Sequence, residues 1–331
     1  MRSRQIVLAQ TPHGVPQLSD FELLSSEVQS PCESEVLVRV VALSLDPFLR
    51  SAMAGRHLSA AIRPGDVVPS EGLVEVIESR NAAYVPGRRW IAECGWREYA
   101  VLSADVLHKA RVVDKNIQPQ TLALGVLGMP GLTAWAGFNK MTDASPVDTF
   151  VVSAASGAVG ATVGQLAQAR GCRVIGIAGG PEKCQWAIEQ AGFTACIDYR
   201  AGDLRAALKN NCPNGINVYF DNVGGDTLTA VCEQLAIGSR IVLCGLAAQY
   251  NGAPAVGLNP GLLIKSRATL RGLVVYDHWH EMERMQAELG ADILAGRLRF
   301  REDVSHGIES APDSFCRLMR GENQGKSIVM I

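Results

Sequence analysis

Val151-Val152-Ser153-Ala154-Ala155-Ser156-Gly157-Ala158-Val159-Gly160 is an apolar run that breaks into a glycine-containing turn, and the chain continues with helical character from Ala161 to Gly171. The stretch reads as strand, tight turn, helix. Gly157 and Gly160 remove the side chains that would keep a diphosphate off the backbone. The helix starting there points free amides and its positive dipole end at such an anion. The spacing is AxxGxxG, with Ala154 standing where the stricter GxGxxG has its first glycine. The pattern predicts a dinucleotide site.

On both sides of this turn the chain alternates apolar strand and helix. The expected strands are Thr149 to Ala155, Arg173 to Ala178, Ala195 to Tyr199, Val218 to Val223, Arg240 to Gly245 and Thr269 to Val275. Six buried strands with intervening helices predict an α/β fold with a doubly wound parallel sheet, because parallel strands need crossovers covering both faces. Before this region the pattern differs. Short alternating segments at Glu35 to Ala42, Gly72 to Glu78, Arg89 to Cys94 and Arg97 to Leu102, separated by Pro and Gly turns, predict a mostly β region. After about Arg299 short strands and loops are expected again, and this tail is expected to rejoin the first region. The expected division is therefore 1–121 with 299–331 as one discontinuous domain, and 122–298 as the nucleotide-binding domain.

The 331 residues, 47% hydrophobic and 19% charged, suit a globular protein of about two domains. A formal net charge of −2 offers no basic stripe for nucleic acid or an anionic membrane. No apolar run approaches the roughly 20 residues of a membrane span, and Met1 to Gln10 lacks a secretory signal, so a cytoplasmic protein is expected. The nine cysteines form no CxxC pair and the six histidines are scattered, which predicts reduced thiols and no metal site.

Strand ends carry the candidate chemistry. After Arg173 to Ala178, a site for the unphosphorylated dinucleotide would place an acid on the ribose hydroxyls, but the chain reads Gly179-Gly180-Pro181-Glu182-Lys183. Glu182 lies several residues past the strand, whereas Lys183 could neutralise a 2′-phosphate, which favours NADPH. The plainer alternative is a solvated helix lysine. Tyr199 and Arg200 could flank the same phosphate, and Asn222 could hydrogen-bond ribose or nicotinamide, although Asn-Val-Gly-Gly also makes a good loop by itself. Tyr250, in the polar loop after the fifth strand, could donate a hydrogen bond to a carbonyl oxygen and stabilise the charge that develops as hydride arrives. An exposed loop tyrosine is the alternative.

Together these motifs resemble the medium-chain dehydrogenase/reductase superfamily, and within it the zinc-free branch of prostaglandin, 2-alkenal and curcumin reductases. The resemblance rests on Leu43-Ser44-Leu45-Asp46-Pro47, Gly128-Met129-Pro130-Gly131-Leu132-Thr133-Ala134, Ser153 to Gly160, Ala178 to Cys184, Phe220 to Gly225, and Asn323 with Gly325-Lys326. It implies a GroES-like catalytic domain built from both chain ends, a Rossmann domain between them, and NADPH as cofactor. It puts Gly157, Ala158, Val159 and Gly160 on the diphosphate, Lys183 and Tyr199 near the 2′-phosphate, and Asn222 on the cofactor. Cys244, Gly245, Leu246 and Tyr250, then Leu273, Val274 and Val275, would run along the nicotinamide, and Asn323 would close over it. Where relatives that bind catalytic zinc carry their ligands, this chain reads Asp46-Pro47-Phe48 and Ser70-Glu71-Gly72.

The activity so implied is NADPH-dependent reduction of the carbon–carbon double bond of an α,β-unsaturated ketone or aldehyde, with Tyr250 polarising the substrate carbonyl. Phe48 stands where plant alkenal reductases have a tyrosine, so it lines the expected substrate pocket without that hydroxyl. Tyr276 and Trp279 are expected either in the same pocket or at a dimer surface, and a homodimer through the sheet edge at Leu270 to Val275 is implied. Quinone reduction and a non-catalytic NADPH-binding protein are the competing readings.

Overall fold

The computed structural model describes residues 1–252 and 257–331, and these divide into two compact units. One comprises Val126–Gln249 and 257–301; the other comprises Met1–Gly125, Tyr250–Gly252 and Glu302–Ile331.

The first of these is built on the expected parallel sheet. Its six strands lie in the order Ala195–Asp198, Arg173–Ala178, Thr149–Ser153, Ile216–Asp221, Leu235–Leu243, Thr269–Gly272. In sequence rank that is 3-2-1-4-5-6, the doubly wound arrangement. Val151, Val152, Ile175, Val218, Tyr219, Phe220 and Val242 are all fully buried, as strands covered by helices on both faces require. The order reverses between Thr149–Ser153 and Ile216–Asp221, so the crevice beyond their carboxyl ends is where such a sheet takes a ligand.

Several strands stop earlier than the pattern predicts. The expected strand to Ala155 ends at Ser153, that to Tyr199 at Asp198, that to Val223 at Asp221, that to Gly245 at Leu243 and that to Val275 at Gly272. The fourth shows the physical reason: the Asp221 carboxylate accepts the amides of Val223 and Gly224, which folds the chain back on itself. Val275 instead opens the 3-10 helix Val275–Glu281.

The other unit is mostly β. A seven-stranded sheet runs Glu302–His306, Lys326–Met330, Val36–Ser44, Glu71–Ser79, Arg89–Glu93, Arg111–Val112, with Tyr99–Leu102 pairing the far side of Val36–Ser44. The hairpin of Arg2–Leu8 with Phe21–Glu27 adds a second, two-stranded sheet that the alternation pattern had not indicated. The core gathers Trp96, Phe21 and Phe315, with Trp96 5.7 Å from each of the other two rings. Phe315 lies on the helix Ala311–Met319, where the sequence pattern predicts only short strands and loops for the tail. Its apolar face, Phe315, Cys316 and Met319, is buried in that core, which a reading by strand alternation misses.

Candidate functional site

The glycine turn is held by backbone contacts. Ala154 adopts a left-handed φ of 51°, and Gly157 in extended conformation caps the helix Ala158–Ala169. A Cβ on Gly160 would lie 2.3 Å from the Ala154 carbonyl oxygen, so only glycine lets the helix sit this close to the turn. The first-turn amides of Ala158, Val159 and Gly160 lack intrahelical acceptors and form an anion-ready end.

Beside it, the second strand end makes a compact cluster. Gly180, at φ 101°, caps the helix Pro181–Glu189 on which Lys183 lies. Asp198 accepts hydrogen bonds from Gly180 N at 2.8 Å and Arg200 N at 2.9 Å, stapling this turn to the end of the third strand. The Arg200 guanidinium lies 5.7 Å over the Tyr199 ring, and a Cβ on Gly179 would meet both side chains at 2.9 Å. Lys183 is only 9% exposed, which rules out the solvated helix lysine, while Tyr199 is 48% exposed. Glu182 is turned to Arg301 in a 2.6 Å ion pair. The acid that follows the second strand in sequence is thus committed elsewhere.

At the switch point, Asn222 donates from its amide Nδ2 to Ser153 O at 2.8 Å, and its main-chain N–H donates to Ser153 Oγ at 2.8 Å. Cys244 N and Gly245 N donate to Asp221 O at 2.8 and 3.1 Å, bringing the fifth strand end alongside. Burial, with the Asp221 carboxylate adding to it, pushes the Cys244 thiol up to about 12, so it stays neutral. Leu246 is exposed, and Leu273 is buried with its N–H donating to Leu243 O at 2.9 Å. Val274 caps, and Val275 begins, the 3-10 helix that carries Tyr276, which is half exposed and 6.4 Å from Trp279.

The remaining candidates belong to the mostly β unit. Phe48 opens the helix Phe48–Met53 behind Pro47 and stacks on His57 at 4.8 Å. Burial holds His57 below the ordinary imidazole range, so it is neutral at neutral pH. Tyr250 ends the one-turn helix Ala247–Tyr250, where the sequence suggested a loop, and packs on the same core as Phe48. Asn251 next to it donates from Nδ2 to Met319 O at 2.9 Å, fastening this segment to the tail helix. Asn323 donates to Gly325 O at 2.7 Å. Lys326 is 5% exposed, with Nζ 2.8 Å from Leu45 O and 2.6 Å from Asp46 Oδ1; Asp46 in turn accepts from Ser44 Oγ. Among the described residues no three His, Cys, Asp or Glu side chains group as metal ligands.

Sequence reasoning assigned no role to Asp198, Asp221 or His57. The two aspartates carry a legible signal, an acid closing an otherwise apolar strand, whereas only the fold brings His57 to Phe48.

Two family models match the chain: "N-terminal domain of oxidoreductase" over residues 4–110 and "Zinc-binding dehydrogenase" over residues 158–291. The NADPH-dependent curcumin reductase of Escherichia coli is 38% identical over 100% of this chain and 97% of that protein. The NADP(+)-dependent 2-alkenal reductase of Nicotiana tabacum is 36% identical over 99% of this chain and 97% of its own length. The crystal structure of CurA from Vibrio vulnificus in complex with NADPH is 38% identical, covers 99% of this chain and 98% of its own, and superposes with a TM-score of 0.93.

Proposed function

The chain belongs to the medium-chain dehydrogenase/reductase family, and on that premise we propose that it reduces the carbon–carbon double bond of α,β-unsaturated ketones or aldehydes with NADPH. The observation carrying the cofactor half is that Lys183, on the helix capped by Gly180 at the end of the second strand, is buried rather than solvated, and that the acid following this strand, Glu182, is paired with Arg301. The relatives named for curcumin and 2-alkenals, at 38% and 36% identity over nearly the whole chain, support the substrate half.

The residues present fit NADPH. A Cβ at Gly160 would fill the turn against which a diphosphate lies, and the 2′-phosphate is an anion suited to Lys183 and Arg200. When bound, the cofactor would supply the hydride to the β carbon, and a proton from solvent or a tyrosine would complete the α carbon. Gly157 to Gly160 would hold the diphosphate with backbone amides, and Asn222, Cys244 to Leu246 and Leu273 to Val275 would fix the nicotinamide end; Asn323 is assigned to the cofactor as well. The Tyr250 hydroxyl would donate to the substrate carbonyl oxygen and stabilise the enolate charge, and Phe48 and Tyr276 are the residues assigned to contact with substrate. Delocalisation over an enolate is what lets hydrogen bonds do this work.

The same reading makes the protein a cytoplasmic homodimer acting on small molecules. No described helix is long and apolar enough to cross a membrane, and the cysteines are unpaired, as reducing surroundings would keep them. The edge strand Thr269–Gly272 supplies an unpaired ladder for a symmetry mate. Steady-state turnover of 3-nonen-2-one against a simple quinone, both with NADPH, tests the proposal. Efficient enone reduction is expected, and a strong preference for the quinone would overturn it.

A further inference from the structure

Asp221 is fully buried at the carboxyl end of the fourth strand, beside the point where the strand order reverses. Its Oδ1 accepts from Tyr219 OH at 2.7 Å, Ser153 Oγ at 2.9 Å, Val223 N at 3.0 Å and Gly224 N at 3.1 Å. Oδ2 accepts from Gly224 N at 3.0 Å. Two hydroxyls and two main-chain amides thus converge on one carboxylate, an arrangement that holds a buried negative charge without leaving a donor unpaired.

The consequences radiate to three strand ends. Ser153 closes the first strand. With its proton committed to Asp221, its Oγ accepts the Asn222 amide, and its carbonyl accepts Asn222 Nδ2. The fifth strand is tied by Cys244 N and Gly245 N on the Asp221 carbonyl. Farther along, Ala247 N and Ala248 N donate to Asn222 O and Val223 O, so the loop after the fifth strand takes its register from the same turn. With Nδ2 engaged, the remaining polar atom of the Asn222 side chain is Oδ1, an acceptor suited to a ribose hydroxyl or a carboxamide N–H.

We propose that Asp221 is a positioning residue for the nicotinamide end of the cofactor: through Ser153 and the turn Asn222–Gly224 it fixes the acceptor and the strand ends against which that ring lies. The proposal rests on the NADPH reading above. The phosphate end is built from other residues, Lys183, Tyr199 and Arg200, stapled by Asp198, so the two ends of the cofactor separate experimentally.

The experiment compares wild type with Asp221→Asn and Ser153→Ala, measuring affinity for adenosine 2′,5′-bisphosphate, affinity for NADPH, the emission shift of bound NADPH, and kcat with an enone. Asp221→Asn sets an NH2 against converging donors, whereas Ser153→Ala removes the hydroxyl that joins Asp221 to the Asn222 N–H and keeps the carbonyl that accepts Asn222 Nδ2; should the former fail to fold, the latter carries the comparison. The expected result is unchanged adenosine bisphosphate affinity, weaker NADPH binding with an altered emission shift, and turnover lower by on the order of 100-fold, as for a reacting group misplaced by about 1 Å. Equal losses for both ligands would mean general destabilisation, and no loss for either would mean no positioning; each overturns the proposal. Failure of the wild type to bind adenosine 2′,5′-bisphosphate would overturn the cofactor reading itself, and this proposal with it.

Discussion

Replacing Gly160 with alanine would place a Cβ 2.3 Å from the Ala154 carbonyl oxygen, 2.9 Å from its carbonyl carbon and 3.1 Å from Ser153 O. All three are backbone atoms, so no side chain can swing aside. Restoring ordinary contact requires the helix start or the turn to move by about 1 Å. Gly157 is the internal control: its Cβ would stand 3.2 Å from the same oxygen, and its φ of −76° is open to any residue. Overpacking of this kind costs about 1 to 3 kcal/mol of stability, whereas Gly157→Ala should lose less than about 1 kcal/mol, chiefly as a poorer helix cap. Binding should suffer as well. A displaced cradle that loses a hydrogen bond to the charged diphosphate should weaken NADPH by about 1.5 to 3 kcal/mol, or about 10- to 150-fold. Urea unfolding and fluorescence titration of NADPH on both variants measure the two effects. Wild-type affinity and an unchanged unfolding midpoint for Gly160→Ala would refute this reasoning, as would Gly157→Ala being the worse of the pair.

Lys183→Ala should weaken NADPH by about 1 to 3 kcal/mol, the loss of a charge-assisted phosphate contact, and leave NADH nearly unchanged; parallel titrations with equal losses would remove Lys183 from the phosphate. Tyr250→Phe should lower turnover far more than cofactor affinity, and an unchanged kcat would take its hydroxyl out of the reaction. Glu302 supplies a pH test: burial raises its carboxyl above the ordinary range, against a hydrogen bond from Thr121 and the Lys326 charge, and its Oε1 has no partner. A carboxyl raised in the fold contributes stability that is full below its ordinary value and lost as pH rises through the folded value. Glu302→Gln should therefore unfold later than wild type near neutral pH, by about 1 kcal/mol, with the gap closing near about pH 4; a gap that is constant with pH would contradict it.

Where the sequence was legible, burial made it so. The three middle strands, Thr149–Ser153, Arg173–Ala178 and Ile216–Asp221, are buried on nearly every residue and emerge as nearly continuous apolar runs, Val218-Tyr219-Phe220 among them, whereas the edge strand Thr269–Gly272 is mostly exposed. The glycine turn was equally plain, because Gly157 and Gly160 have no other reason to interrupt such a pattern at that spacing. Strand ends were less so. They are set by hydrogen bonds such as Val223 N and Gly224 N to Asp221, which no periodicity encodes. The hairpin Arg2–Leu8 with Phe21–Glu27 escaped notice because Phe21–Glu27 is mostly exposed beyond its first residue and shows no apolar alternation. The helix Ala311–Met319 was hidden by length: nine residues give only about two and a half turns of pattern. The pairing of Phe48 with His57 depends on a loop folding back, and nothing local predicts it.

In the proposed reaction hydride goes to carbon across a conjugated double bond. Incubation of the enzyme with 3-nonen-2-one and NADPH deuterated at its transferable hydride, followed by NMR of the product, tests it most directly. The expected product is the saturated ketone with deuterium on the β carbon alone. Deuterium on the carbonyl carbon of an allylic alcohol would contradict it.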